Sequence, residues 1–222
     1  MIILCAKSKI VNVMGKIYIT AARGDCGPAR LTDATWCDTM KSQGGGRMDV
    51  MDAILARASY RGGYQEKAVS REDLRAVMEA GLAAPSGCNK QSVRLIGVDD
   101  PAVLNRLKAL IDPPIGETAP AFVCVLTRKT IAYRGRSFHV QDYSAAIENM
   151  LLAAVGLGLA SCWVEGHITD EDRIGRKMAD ALGVPEDYEL VCFLPLGYPA
   201  EPARPAPKKP FEERAWFNGW EA

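Results

Sequence analysis

Two arginines flank a serine at Arg57-Ala58-Ser59-Tyr60-Arg61. A guanidinium pairs bidentately with phosphate oxygens and a serine hydroxyl adds a neutral donor, so this spacing makes a compact anion grip. A solvated basic face is the alternative that the motif alone leaves open. A second cluster, Ala84-Pro85-Ser86-Gly87-Cys88-Asn89-Lys90-Gln91, gathers donors, acceptors and flexible backbone suited to a polar, planar ligand. The same residue types also build an ordinary turn between a helix and a strand. Other chemistries have less to work with. The seven cysteines (Cys5, Cys26, Cys37, Cys88, Cys124, Cys162 and Cys192) include no C-x-x-C, which argues against a disulfide framework or a zinc site. A reducing, cytoplasmic compartment is the simplest expectation. Two histidines, His139 and His167, are too few for a histidine-based metal centre, and no metal is expected. Lys+Arg 27 balances Asp+Glu 27, so the charge points to neither nucleic acid nor an anionic membrane.

The elements around these clusters follow from hydrophobic spacing. Residues 48–58 carry a short helix pattern through Val50, Ile54 and Leu55. Ser70 caps a second helix, with Asp73 three residues on and an apolar stripe of Leu74, Val77, Met78, Gly81 and Leu82. Pro85 ends it. Val93–Val98 reads as a strand, and Pro101 opens a helix with Val103, Leu104, Leu107 and Leu110 inside. Ala121–Leu126 is continuously apolar, the pattern of a buried strand, and 128–138 is expected to be a surface loop. From Asp142 to Ala160 the chain has little polar face, so this helix belongs at the centre of the fold or at an interface between copies. Asp142 and Glu148 interrupt it and Gly156 and Gly158 end it, which excludes a membrane span. A strand at 161–166, a helix capped by Thr169-Asp170-Glu171-Asp172, a strand at 188–196 and a stiff Pro-rich stretch at 199–210 complete the chain. Strands and helices alternate around one sheet, so the class is α/β or α+β.

Taken together, four stretches resemble the flavin-dependent nitroreductase family, the FMN-binding NAD(P)H oxidoreductases, over roughly 52–220. Arg57 to Arg61 is similar to that family's Arg-x-Ser-x-Arg/Lys motif, and Ala84 to Gln91 to its Ala-Pro-Ser-x-x-Asn-x-Gln loop. Gly156-Leu157-Gly158-Leu159-Ala160-Ser161-Cys162-Trp163 and the basic pair Lys208-Lys209 before Pro210-Phe211-Glu212-Glu213 are similar to its later motifs. The resemblance implies an α+β fold: a three-layer α/β/α sandwich with a mostly antiparallel central sheet, in an intertwined homodimer with FMN at the interface. It implies that Arg57, Ser59, Arg61 and Lys208 hold the FMN phosphate. Pro85, Ser86, Gly87 and Asn89 would reach the flavin ring and ribityl chain across the dimer, and Val164, Glu165 and Gly166 would face the N5 edge. Hydride would pass from NADH or NADPH through flavin N5 to a small acceptor, a nitroaromatic or a quinone, by ping-pong turnover without a catalytic side chain. Ser92-Val93 replace the family's usual Pro-Trp, and Ala206 replaces a usual lysine. The compact chain resembles the smaller members.

Three other readings stay open. One is a dehalogenase or flavin-fragmenting relative, and another is a dimeric protein that only stores or senses FMN. The third is a thiol enzyme using Cys88 or Cys162, with neighbouring cations lowering a thiol pKa.

Residues 1–47 do not share this patterning. Ile17-Tyr18-Ile19-Thr20 is strand-like, but Met1–Ala6 is too short for a signal-peptide core. Ser42-Gln43-Gly44-Gly45-Gly46-Arg47 has the character of a translated purine-rich leader ahead of an initiator. Residues 1–47 are therefore expected to be a disordered extension or a mis-assigned start, with Met48 or Met51 as the natural beginning and 48–222 as the functional domain. N-terminal mass spectrometry of the natural protein checks this: a first peptide at Met48 or Met51 is expected, and peptides from 1–47 refute it.

Overall fold

The apolar run at Ala121–Leu126 needs cover on both sides, and the computed structural model of the chain supplies it. The structure describes residues 8–13, 16–21, 48–166, 168 and 171–220. In chain order its elements are β1 (Ser8–Val13), β2 (Lys16–Ala21), α1 (Val50–Ala56), α2 (Arg71–Leu82), β3 (Val93–Val98), α3 (Pro101–Lys108), β4 (Ala121–Thr127), β5 (Ile131–Tyr133), β6 (Arg136–Ser137), α4 (His139–Gly156), β7 (Ala160–Ser161), α5 (Ile174–Ala181) and β8 (Glu189–Gly197). β1 and β2 form an antiparallel hairpin within a first unit, Met1–Gly45; everything else belongs to a second unit, Gly46–Ala222.

The second unit is built on a four-stranded sheet in the order β3-β4-β8-β7, antiparallel throughout. Every residue of β4 is buried, and its side chains alternate between two cores as a pleated strand requires. Phe122, Cys124 and Leu126 face α3 and α5, packing with Leu104, Leu107, Ile174 and Met178. Ala121, Val123 and Val125 face α2 and α4, packing with Leu74, Val77, Ala146, Ile147 and Met150. This is the three-layer α/β/α sandwich that the resemblance implied. A bulge opposite Val125–Leu126 gives β8 one extra residue, so Val191 and Cys192 both join the α4 side.

Local signals set the helix ends. Ser70 accepts from Asp73 N–H, Asp100 accepts from Ala102 and Val103 N–H, and Asp49 accepts from Met51 N–H. α4 starts one turn before Asp142 and ends at Gly156. Three expectations change. The 128–138 loop folds into the β5–β6 hairpin, because Arg134 and Gly135 both take positive φ (47° and 73°) and close a two-residue turn. The strand expected at 161–166 is only β7 plus one isolated bridge from Val164 to Phe193. The helix expected from Thr169 begins at Ile174, behind a left-handed Arg173 that gives no side-chain cap; the Thr169 and Asp170 part of that cap lies outside the described residues.

Gly175 lets the backbone of α5 sit directly on β8. A Cβ there would run into the carbonyl oxygen of Leu190, which is backbone and does not swing aside. Gly175→Ala is therefore expected to cost about 1–3 kcal/mol through overpacking, despite the better helix former. Urea unfolding checks this; an unchanged midpoint refutes it.

Candidate functional site

Helix α4 is apolar on most sides, yet three of its polar residues each hold one of the stretches singled out above. Asp142 is buried and accepts from Gly87 N–H (2.7 Å) through one oxygen and from Ser92 Oγ (2.7 Å) through the other. Tyr143 donates to Glu165 Oε1 (2.8 Å). Glu148 pairs with Arg57 Nε at 3.3 Å. Sequence reasoning read Asp142 and Glu148 only as breaks in an apolar run and gave Tyr143 no role. Their type was the available signal, since polar groups on a central helix need partners.

The loop after α2 takes an unusual shape. Cys88, Asn89 and Gln91 all adopt left-handed φ (49°, 52° and 47°), uncommon for side chains other than glycine. Contacts compensate for this. Gln91 N–H donates to Ser86 Oγ at 2.9 Å, Asn89 N–H to Ser86 O at 2.9 Å, and Asp142 grips the loop at Gly87 and Ser92. Gly87 is required because a Cβ there would lie 2.8 Å from Phe138. Ser92, one of the departures from the family pattern, supplies the second grip. Pro85 and Asn89 are left with exposed side chains on this loop.

The Arg57–Arg61 segment runs along β7. Ser59 bridges Ser161 in parallel, and Tyr60 N–H donates to Ser161 O at 2.9 Å. Arg61 is exposed, and its charge partly offsets the burial that pushes the Cys162 thiol up. The Ser161 hydroxyl is buried beside this segment without a hydrogen-bond partner among the described residues. Val164 then exchanges two hydrogen bonds with Phe193, at 3.2 and 3.1 Å. After it the chain leaves the sheet, and Glu165 is clamped between Tyr143 and Trp163 Nε1 (2.7 Å). Burial, then the bond to Glu165, raises the Tyr143 hydroxyl well above the ordinary phenol value. Among the described residues the N–H groups of Glu165 and Gly166 enter no hydrogen bond, and a Cβ at Gly166 would meet open space.

So the structure brings Arg57, Ser59 and Arg61 alongside the strand that leads to Val164, Glu165 and Gly166, and α4 ties Pro85–Asn89 to the same framework. Lys208 is not brought in: it stands exposed in the C-terminal segment and makes no ion pair among the described residues. The thiol alternative loses Cys162, which is buried with its pKa raised; Cys124 is pushed to about 12 and Cys192 well up by the same desolvation. No group of acidic, cysteine or histidine side chains suited to a metal occurs among the described residues.

The chain is similar to known proteins in sequence and fold. The sequence profile of the Nitroreductase family matches residues 54–112 and 106–198. A protein of Archaeoglobus fulgidus, assigned as an NADH dehydrogenase/NAD(P)H nitroreductase, is 32% identical over 154 residues, covering 69% of this chain and 87% of the relative. An NADH dehydrogenase of Thermus thermophilus is 26% identical over 193 residues, covering 74% and 94%. A crystal structure of a nitroreductase with bound FMN from Bacteroides fragilis superposes with a TM-score of 0.64 at 28% identity, covering 78% of this chain and 100% of that one.

Asp142→Ala removes the acceptor for Gly87 N–H and Ser92 Oγ together. Each donor left unpaired costs about 1–3 kcal/mol, so a clear loss of stability is expected, with faster amide exchange at 86–92 than elsewhere. Urea unfolding and hydrogen exchange read both; a stable variant with an unchanged loop refutes the anchoring role.

Proposed function

The chain belongs to the nitroreductase family, and on that premise we propose that it is an NAD(P)H oxidoreductase whose bound FMN supplies the hydride chemistry at N5, alternating between the nicotinamide donor and a small acceptor such as a nitroaromatic or a quinone. The observation that carries this reading is the bridge between Ser59 and Ser161, which joins the anion grip to the stretch at 164–166.

The chain's own groups suit such a cofactor. Arg57 and Arg61 are permanent cations on either side of the Ser59 hydroxyl, the donor set a terminal phosphate calls for. The Ser161 hydroxyl, without a partner among the described residues, adds a hydrogen-bonding group on the same edge. The N–H groups of Glu165 and Gly166, which enter no hydrogen bond among the described residues, would be donors for the edge of a flavin ring, and the Glu165 clamp keeps that backbone from drifting. Pro85, Ser86, Gly87 and Asn89 form a rigid wall for the ring system, held by Asp142. Lys208, which the single chain leaves exposed and apart from this grip, is left out of the proposed phosphate set.

The reading includes a cytoplasmic homodimer formed by the 48–222 domain. α1 leaves Val50 (62%), Met51 (58%) and Leu55 (57%) exposed, and the C-terminal segment leaves Phe217 and Trp220 at 78% each, apolar side chains that a second copy would cover. Light scattering is expected to return twice the chain mass, and a monomer at micromolar concentration counts against the shared site. The purified protein is expected to show flavin absorbance that bleaches anaerobically with NADH or NADPH. A flavin spectrum that neither donor changes favours a storage protein, and a colourless protein that takes up no FMN overturns the reading. Arg57→Ala is expected to weaken FMN retention about tenfold or more, since hydrogen bonds to charged groups are worth roughly 1.5–3 kcal/mol; unchanged affinity removes Arg57 from the phosphate site.

A further inference from the structure

The chain has no net charge, yet its charges are segregated around one loop. Residues 86–98 and 127–141 contain Lys90, Arg94, Arg128, Lys129, Arg134 and Arg136 and not one Asp or Glu. The fold brings the two stretches together. Val93 pairs with Thr127 across β3 and β4, so Arg128 and Lys129 leave β4 where the loop enters β3. The β5–β6 hairpin packs against the turn at Gly87–Asn89, and Phe138, which follows β6, lies on Gly87. The hairpin therefore sits directly against the loop proposed to wall the flavin ring.

Carboxylates near this collar include Asp142, Asp187 and Glu189, and Glu165 beyond them is held by Tyr143 and Trp163. Both Asp142 oxygens are engaged by Gly87 and Ser92, and Asp187 is paired with Arg128. Glu189 stands opposite Thr127. Arg94 is fixed by bonds to the carbonyls of Gln91 and Val93 (2.7 and 2.8 Å). Lys90, Lys129, Arg134 and Arg136 are exposed and enter no ion pair among the described residues. At the hairpin tip Arg134 takes a left-handed conformation where Asn or Gly is usual, and its guanidinium lies 5.1 Å from the centre of the Tyr133 ring. Unneutralised cations around a site raise the local concentration of anions and give a phosphate several donors.

Resting on the oxidoreductase reading above, we propose that Arg134 and Arg136, backed by Lys90 and Lys129, bind the 2′-phosphate of the nicotinamide donor, so that this site takes NADPH in preference to NADH. The donor carries this phosphate on its adenosine end, away from the nicotinamide. A collar beside the ring-walling loop, rather than behind it, suits that separation.

Adenosine 2′,5′-bisphosphate is the probe, with 5′-AMP as its control, each titrated calorimetrically into the FMN-saturated protein, and flavin content is read on the same sample. The bisphosphate is expected to bind about tenfold or more tighter than 5′-AMP, and Arg134→Gln/Arg136→Gln is expected to erase the difference without unfolding the protein. In turnover, the same double variant is expected to lower kcat/KM for NADPH about tenfold more than for NADH, mainly through KM. A flavin-loaded protein that binds both probes alike, or in which the double variant alters KM only for an anionic acceptor such as nitrobenzoate, overturns the donor assignment and leaves the oxidoreductase reading standing. A protein that takes up no FMN overturns both.

Discussion

A carboxylate buried in the middle of a fold is costly unless donors meet both of its oxygens. Asp142 meets that condition with Gly87 N–H and Ser92 Oγ, both at 2.7 Å, and much else follows from it. The bond ties the first turn of α4 to a loop 55 residues earlier. It holds a backbone that puts three non-glycine residues in left-handed conformations, a shape the isolated segment would not keep. Removing the carboxylate would release the loop and leave two donors stranded at once. α4 is thus more than a core helix. Its apolar side fixes its position on the sheet, and its few polar side chains transmit that position to the loops.

The sheet explains why those loops gather where they do. β4 and β8 are covered on both faces and leave no room for a site. β7 is two residues long, and beyond it the chain keeps only the Val164–Phe193 bridge before turning away. The Arg57–Arg61 segment adds itself to this short edge through Ser59 and Tyr60. Backbone N–H groups that would be consumed in a longer strand, at Glu165 and Gly166, enter no hydrogen bond among the described residues. The tyrosine and tryptophan that hold Glu165 replace with side-chain bonds the ladder that the strand gives up.

Much of this was legible in one sequence. The apolar runs at 121–126 and 188–196 are strands because burial on both faces leaves a continuous signal, and the run at 93–98 is the half-buried edge strand beside them. Ser70 and Asp100 announce their helices through side chains that bond within three residues. What escaped were contacts between residues far apart in the chain. Nothing near Asp142 reveals that it serves Gly87, and nothing near Tyr143 reveals Glu165. The hairpin at 131–137 was hidden because its three- and two-residue strands are too short to show a period. The stretch 161–166 misled in the other direction. Cys-Trp-Val has the composition of a strand, but Glu165 finds its partners off the sheet.

In the proposed phosphate grip, the ion pair between Arg57 and Glu148 would leave the site ready for an anion without locking it. At 3.3 Å, with the Glu148 side chain 47% exposed, the pair is screened by solvent and is worth at most about 1 kcal/mol. On the proposed reading, a phosphate would offer Arg57 a bidentate partner of greater charge, so exchanging one for the other would be favourable. In the meantime Glu148 restrains the long arginine side chain and reduces the entropy that binding must remove. The Arg57 side chain is only 22% exposed, which strengthens the exchange, because a partly desolvated guanidinium gains more from a good partner than one in open water. The helix that positions the loop by a buried, fully satisfied carboxylate therefore also positions the grip by an exposed and weakly held one. The difference in burial between Asp142 and Glu148 is what makes the first contact permanent and the second exchangeable.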